Sequence, residues 1–125
     1  MNVGIDIDGT ITRAPELFAI LSRAVRAAGG RVYIVTSRAD APGVREATRR
    51  ELKGYGVEWD ELVIIPDGKD RIPCPHEELD WYRKYLWQKV CICLERNVSV
   101  VFEDDAKVID LFKRFAPGIV AFHLT

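Results

Sequence analysis

Short β-branched apolar runs alternate along this chain with longer stretches of helical periodicity, and that alternation restricts the fold more than any other feature. Residues 2–7, 31–35, 62–65, 98–102 and 119–122 are nearly continuous in apolar character, the pattern of strands covered on both faces. Between them, residues 15–28, about 42–55, about 77–96 and 106–115 carry the spacing of amphipathic helices. Pro15 suits a first helical position, Gly29-Gly30 suits an end, and Leu17, Ile20, Leu21, Ala24 and Val25 form one apolar stripe. Residues 66–75, with three of the six prolines, are the one loop of note. There is no repeat, no low-complexity tract and no linker, so 125 residues read as one α/β domain, long enough for a real core.

Strands of this kind build a mainly parallel sheet of about five strands between two helical layers, a three-layer α/β/α, Rossmann-like architecture. Ligands in such sheets bind beyond the carboxyl ends of the strands. Charge narrows the partners: 18 Lys and Arg against 19 Asp and Glu leave a net −1, with no global basic field. Nucleic acid therefore stays open as a partner without being favoured, and no segment is apolar enough for a membrane. Asp6 and Asp8 fall where a secretory leader needs an apolar core. With an odd count of three cysteines, this points to a reducing, cytoplasmic setting.

The strand ends hold the chemistry. Asp6 and Asp8 are two apart on an extended run and can converge, which implies a cation, a shared proton or exposure. Gly9 permits a sharp turn beside them. Thr36-Ser37-Arg38 follows the second strand with hydroxyls and a guanidinium suited to phosphate oxygens. Glu103-Asp104-Asp105 follows the fourth. Two acidic clusters at neighbouring strand ends are an oxygen-ligand set for Mg²⁺. Lys84 or Lys89, on the helix before the fourth strand, would offset phosphate charge.

This order of motifs, Asp6-Ile7-Asp8-Gly9-Thr10, then Thr36, a helix lysine and a strand-end acidic pair, resembles that of the haloacid dehalogenase-like superfamily across nearly the whole chain. The resemblance implies a Mg²⁺-dependent phosphatase acting through an aspartyl-phosphate. Asp6 would be the nucleophile and Asp8 the general acid and base, its carbonyl facing the metal. Thr36 would bind the phosphoryl group, with Gly9, Thr10, Ser37 and Arg38 among the substrate contacts. Lys89, favoured over Lys84, would neutralise charge. Asp104 would bind the metal with Asp6, joined by Asp105 directly or through water. Glu103-Asp104-Asp105 departs from the Gly-Asp of many relatives. The short spacing between motifs leaves no room for a sizeable cap, so the site is expected to be open. That suits a bulky phosphorylated substrate or closure by a second copy in a homo-oligomer. A non-catalytic, regulatory phosphate-binding module is the alternative.

Plainer readings compete at several positions. Ser37 could cap the next helix. Arg45, Arg49 and Lys53 form a basic stripe softened by Glu46 and Glu51. Trp81, Tyr85 and Gln88 share a helix face, which reads as core or oligomer contact before it reads as base stacking. Cys91 and Cys93 diverge on a helix, which speaks against zinc, and His123 reads as structural. Lys69, Asp70 and Arg71 join Arg38 as candidate substrate contacts.

Overall fold

In the computed structural model, which describes residues 1–125, all five strands pair in parallel in the order β3-β2-β1-β4-β5. The strands are β1 (Asn2–Ile5), β2 (Val32–Thr36), β3 (Glu61–Ile64), β4 (Val98–Glu103) and β5 (Val120–His123). The helices are α1 (Pro15–Ala27), α2 (Val44–Tyr55), α3 (Trp81–Glu95) and α4 (Ala106–Phe115). Two side-chain clusters fill the spaces above and below the sheet. Val3, Ile5, Ile34, Phe18 and Leu52 lie on the α1 and α2 side; Tyr33, Val35, Val101, Leu86 and Phe112 lie on the other. Each fully buried Ile, Leu or Phe here contributes about 1.5–3 kcal/mol through removal from water. The three-layer parallel architecture expected from the apolar runs is the one adopted.

Where the chain departs from local expectation, a specific interaction wins. β1 ends at Ile5, not at residue 7, because the backbone turns through Asp6–Gly9, with Gly9 at φ 82°. α3 begins at Trp81, not near residue 77, because Asp80 caps it by accepting the Arg83 amide N–H at 2.8 Å. Only one edge of the apolar stripe of α1, Val25 and the half-buried Leu21, meets the core. Phe18, Ala19, Ser22 and Val25 are buried, whereas Leu17 and Ile20 are 55% and 65% exposed. A one-residue rotation, about 100°, separates the two faces. It is set by Phe18 packing edge-on against Phe102 and by the Ser22 hydroxyl accepting the Glu58 amide at 3.0 Å.

The segment between β3 and α3 holds only a 3-10 turn at Gly68–Asp70. It is pinned by Gln88, which is fully buried, donates Nε2 to the Pro66 carbonyl at 2.9 Å and accepts the Ile72 amide at 2.9 Å. No helix is long and apolar enough to cross a membrane.

Candidate active site

The carboxyl ends of β1 and β4 lie side by side in the sheet, and this adjacency brings Asp6 to Glu103 and Asp104. Carboxylate oxygens of these three lie within 4.8 Å of one another. Lys89, two turns into α3, reaches in from the helical layer and is almost fully buried. Its Nζ donates to Asp6 Oδ1 at 3.0 Å and to Glu103 Oε2 at 2.9 Å. Thr10 Oγ1 donates to the other Asp6 oxygen at 3.1 Å. Asp6 is thus oriented at both oxygens. Burial pushes the Asp6 and Glu103 carboxyls above the usual range while Lys89 pulls them back. The two carboxylates in turn hold Lys89 protonated.

Three carboxyl groups and one ammonium, all ionised, would carry a formal charge of −2 in a cleft of about 260 Å³. Like charges this close are stable only with a shared proton or a cation. The donors are hard oxygens, and Asp104, the one carboxylate of the three without a bond to Lys89, forms with the adjoining Asp6 a pair that fits a small divalent ion such as Mg²⁺. Gly9 makes this approach possible: a methyl group at its Cα would overlap the Asp104 carboxylate, and its φ of 82° is one that side chains resist.

Other expected contributors are placed differently. Asp8 reaches the cleft but its carboxylate is not in the acidic cluster. Arg38 grips it with two bonds, Nε to Oδ2 at 2.9 Å and Nη2 to Oδ1 at 2.8 Å, and also holds Glu51 and Thr48. Those bonds lower the Asp8 pKa from its ordinary value. Asp105 lines the same cleft outside the three-carboxylate cluster and caps α4, accepting the Lys107 amide at 2.8 Å. Thr36 is buried beneath the site, its hydroxyl accepting the Arg38 amide at 3.1 Å. Ser37 lines the cleft instead and does not cap α2, whose N-cap is Gly43. Of the two hydroxyls, Ser37 therefore lines the cleft and Thr36 lies buried at the end of β2.

Lys84 lies one turn nearer the start of α3, 3.8 Å from Glu77, away from the acidic cluster. Glu103 is the site residue that local reading left without a role. Its one signal is an acidic residue ending an otherwise apolar strand. His123 at the end of β5 contacts the Asp104 carbonyl through Nε2 at 2.9 Å, which steadies that loop.

No protein-family model and no curated protein sequence matches the chain. Among solved structures it is similar to a chain of the Pnkp1/Rnl/Hen1 RNA repair complex, with a TM-score of 0.67 and 23% identity over 98% of this chain. A chain of a second Pnkp1/Rnl/Hen1 complex gives 0.64 and 20% over 98%. This chain spans 42% and 45% of the length of those two, and the likeness is one of fold.

Proposed function

We propose that this protein is a Mg²⁺-dependent phosphomonoesterase of the haloacid dehalogenase-like kind, working through a phosphorylated Asp6. The observation that carries the reading is Asp6 itself: a buried carboxylate fixed at both oxygens, beside an ammonium and a second carboxylate, at the open end of a parallel sheet. Such a group is positioned to attack and is costly to bury for structural reasons alone.

Asp6 attacks phosphorus, the ester P–O bond breaks, and the leaving oxygen takes a proton from Asp8. Water then attacks the aspartyl-phosphate, Asp8 removes its proton, and phosphate departs with Asp6 restored. Held by Arg38, Asp8 is ionised, the state needed for the second half. Proton donation in the first half needs that grip to loosen, and the incoming phosphate is a competing anion for Arg38. Lys89 offsets the repulsion between Asp6 and substrate, while Glu103 keeps Lys89 in place. Mg²⁺ held by Asp6 and Asp104 would draw charge from the phosphoryl oxygens.

The solved structures of similar fold belong to complexes one of which performs RNA repair. This supports a nucleic-acid end as the carrier of the phosphate. The test is phosphate release from p-nitrophenyl phosphate with and without Mg²⁺. Chelation and Asp6→Asn should each abolish it, and activity retained by Asp6→Asn refutes the mechanism. The Arg38 grip on Asp8 favours one rival, a module that is phosphorylated on Asp6 and holds the group. That rival predicts a single stoichiometric burst without turnover.

A further inference from the structure

We infer that the cleft beside the acidic centre is a nucleoside subsite, with Trp81 and Tyr85 as its base-stacking column. The inference rests on the phosphatase reading for the position of the phosphate, and on separate observations for the rest. α3 runs from the open end of the sheet inward, and Lys89, Tyr85 and Trp81 follow each other at four-residue intervals along one side of it. Tyr85 thus stands about 6 Å and Trp81 about 12 Å beyond Lys89 along the axis. That is the range a sugar and base occupy outward from a bound terminal phosphate.

The column is built to stay open. Trp81 and Tyr85 lie parallel within 3°, their centroids 6.0 Å apart, and Tyr82 stacks on Tyr85 at 6.3 Å. Trp81 is 63% exposed, so of the two readings of its spacing, core or oligomer contact, the core one does not hold, and it contributes little to folding. Arg71 lies 4.6 Å from the Trp81 ring and 5.6 Å from Tyr85, and it donates to the Trp81 carbonyl at 2.6 Å. An exposed Trp81, with a guanidinium against it and the half-buried, core-anchored Tyr85 parallel to it, is a stacking platform without its partner.

A cavity of about 370 Å³ opens at the foot of this column, lined by Ser37, Arg38, Pro66, Asp67, Asp70 and Tyr85 among others. Ser37 also lines the acidic cleft, so the two spaces adjoin. The volume is in the range of small-ligand sites. Asp67, Asp70 and the Ser37 hydroxyl offer acceptors for ribose hydroxyls and base amino groups. The site therefore suits the terminal nucleoside that bears the scissile group. Gln88 holds the 66–72 wall at two points, which keeps the cavity formed before a ligand arrives.

The test compares kcat/KM for short oligonucleotides phosphorylated at the 3′ or the 5′ end with kcat/KM for p-nitrophenyl phosphate. Trp81→Ala should lower the ratio about tenfold, within the range for loss of one base–aromatic stack, and Trp81→Phe should restore most of it. The 3′ and 5′ arms identify the end recognised. In parallel, oligonucleotide binding is followed by tryptophan fluorescence without Mg²⁺. Quenching in wild type that Trp81→Ala removes supports the subsite even if no substrate is hydrolysed, an outcome that would overturn only the phosphatase reading. Hydrolysis of p-nitrophenyl phosphate with no oligonucleotide binding, or an unchanged ratio in Trp81→Ala, overturns the subsite and leaves the phosphatase reading standing.

Discussion

Replacing Lys89 by methionine keeps much of the side-chain volume and removes the cation between Asp6 and Glu103. Both carboxylates are almost fully buried, as is Lys89. Their hydrogen bonds to its Nζ, at 3.0 and 2.9 Å, have no substitute among the neighbouring groups apart from Thr10 on Asp6 and the Asp105 amide on Glu103. Breaking a buried pair by deleting one partner costs about 3–5 kcal/mol, because the charge left behind remains desolvated. For a domain of this size that is a fall in Tm of roughly 10–20 °C.

The loss depends on pH with a definite sign. Burial raises both carboxyls, and Lys89 is the main force opposing that rise. Without it they move further up. A carboxyl whose folded pKa exceeds its unfolded value contributes stability that is complete below the unfolded value, about 4, and is lost as pH rises through the folded value. Lys89→Met should therefore lie closest to wild type near pH 4.5 and fall behind towards neutrality. Urea unfolding followed by circular dichroism between pH 4.5 and 8 reads this directly as a shift in midpoint at unchanged slope. Adding Glu103→Gln should recover part of the neutral-pH loss. A deficit under about 1 kcal/mol, or one equal at pH 4.5 and 7.5, would refute the buried-charge account.

Three further outcomes test other parts of the site. Gly9→Ala forces a methyl group into the Asp104 carboxylate at a positive φ. It should cost about 1–3 kcal/mol in stability and weaken Mg²⁺ binding, seen by calorimetry as a rise in Kd. Arg38→Ala frees Asp8, whose pKa should rise towards the ordinary carboxylate value. More Asp8 is then protonated at a given pH, so the alkaline limb of the pH–rate profile should move upward; an unmoved limb would argue against Asp8 as the acid. Gln88→Leu leaves the Pro66 carbonyl and the Ile72 amide without their partner. It should cost about 1–3 kcal/mol and make the 66–75 segment the first point of limited proteolysis.

Residues far apart in the chain were placed correctly by local pattern wherever backbone geometry alone set the outcome. A strand apolar on both faces has to lie inside a covered sheet, and consecutive parallel strands need helical crossovers. The strand-end positions of Asp6, Ser37 and Asp104 follow from that, as does a site at the carboxyl end of the sheet. What the pattern could not reach was the rotation of each element about its axis and the pairing of charges across long separations. Periodicity says which residues share a helix face but not which face meets the sheet, so the Leu17 and Ile20 stripe of α1 lies in water and Phe18 in the core. It could not separate Lys84 from Lys89 by contact; packing α3 against β4 puts one ammonium between two carboxylates and leaves the other beside Glu77. Nor could it show that Arg38 would bind Asp8 and Glu51, that Asp105 would cap α4, or that Trp81 would stand exposed. Each of these depends on which side chains the folded layers bring within a few ångströms, and Lys89 and Asp6, 83 residues apart, meet only once the sheet and α3 are assembled.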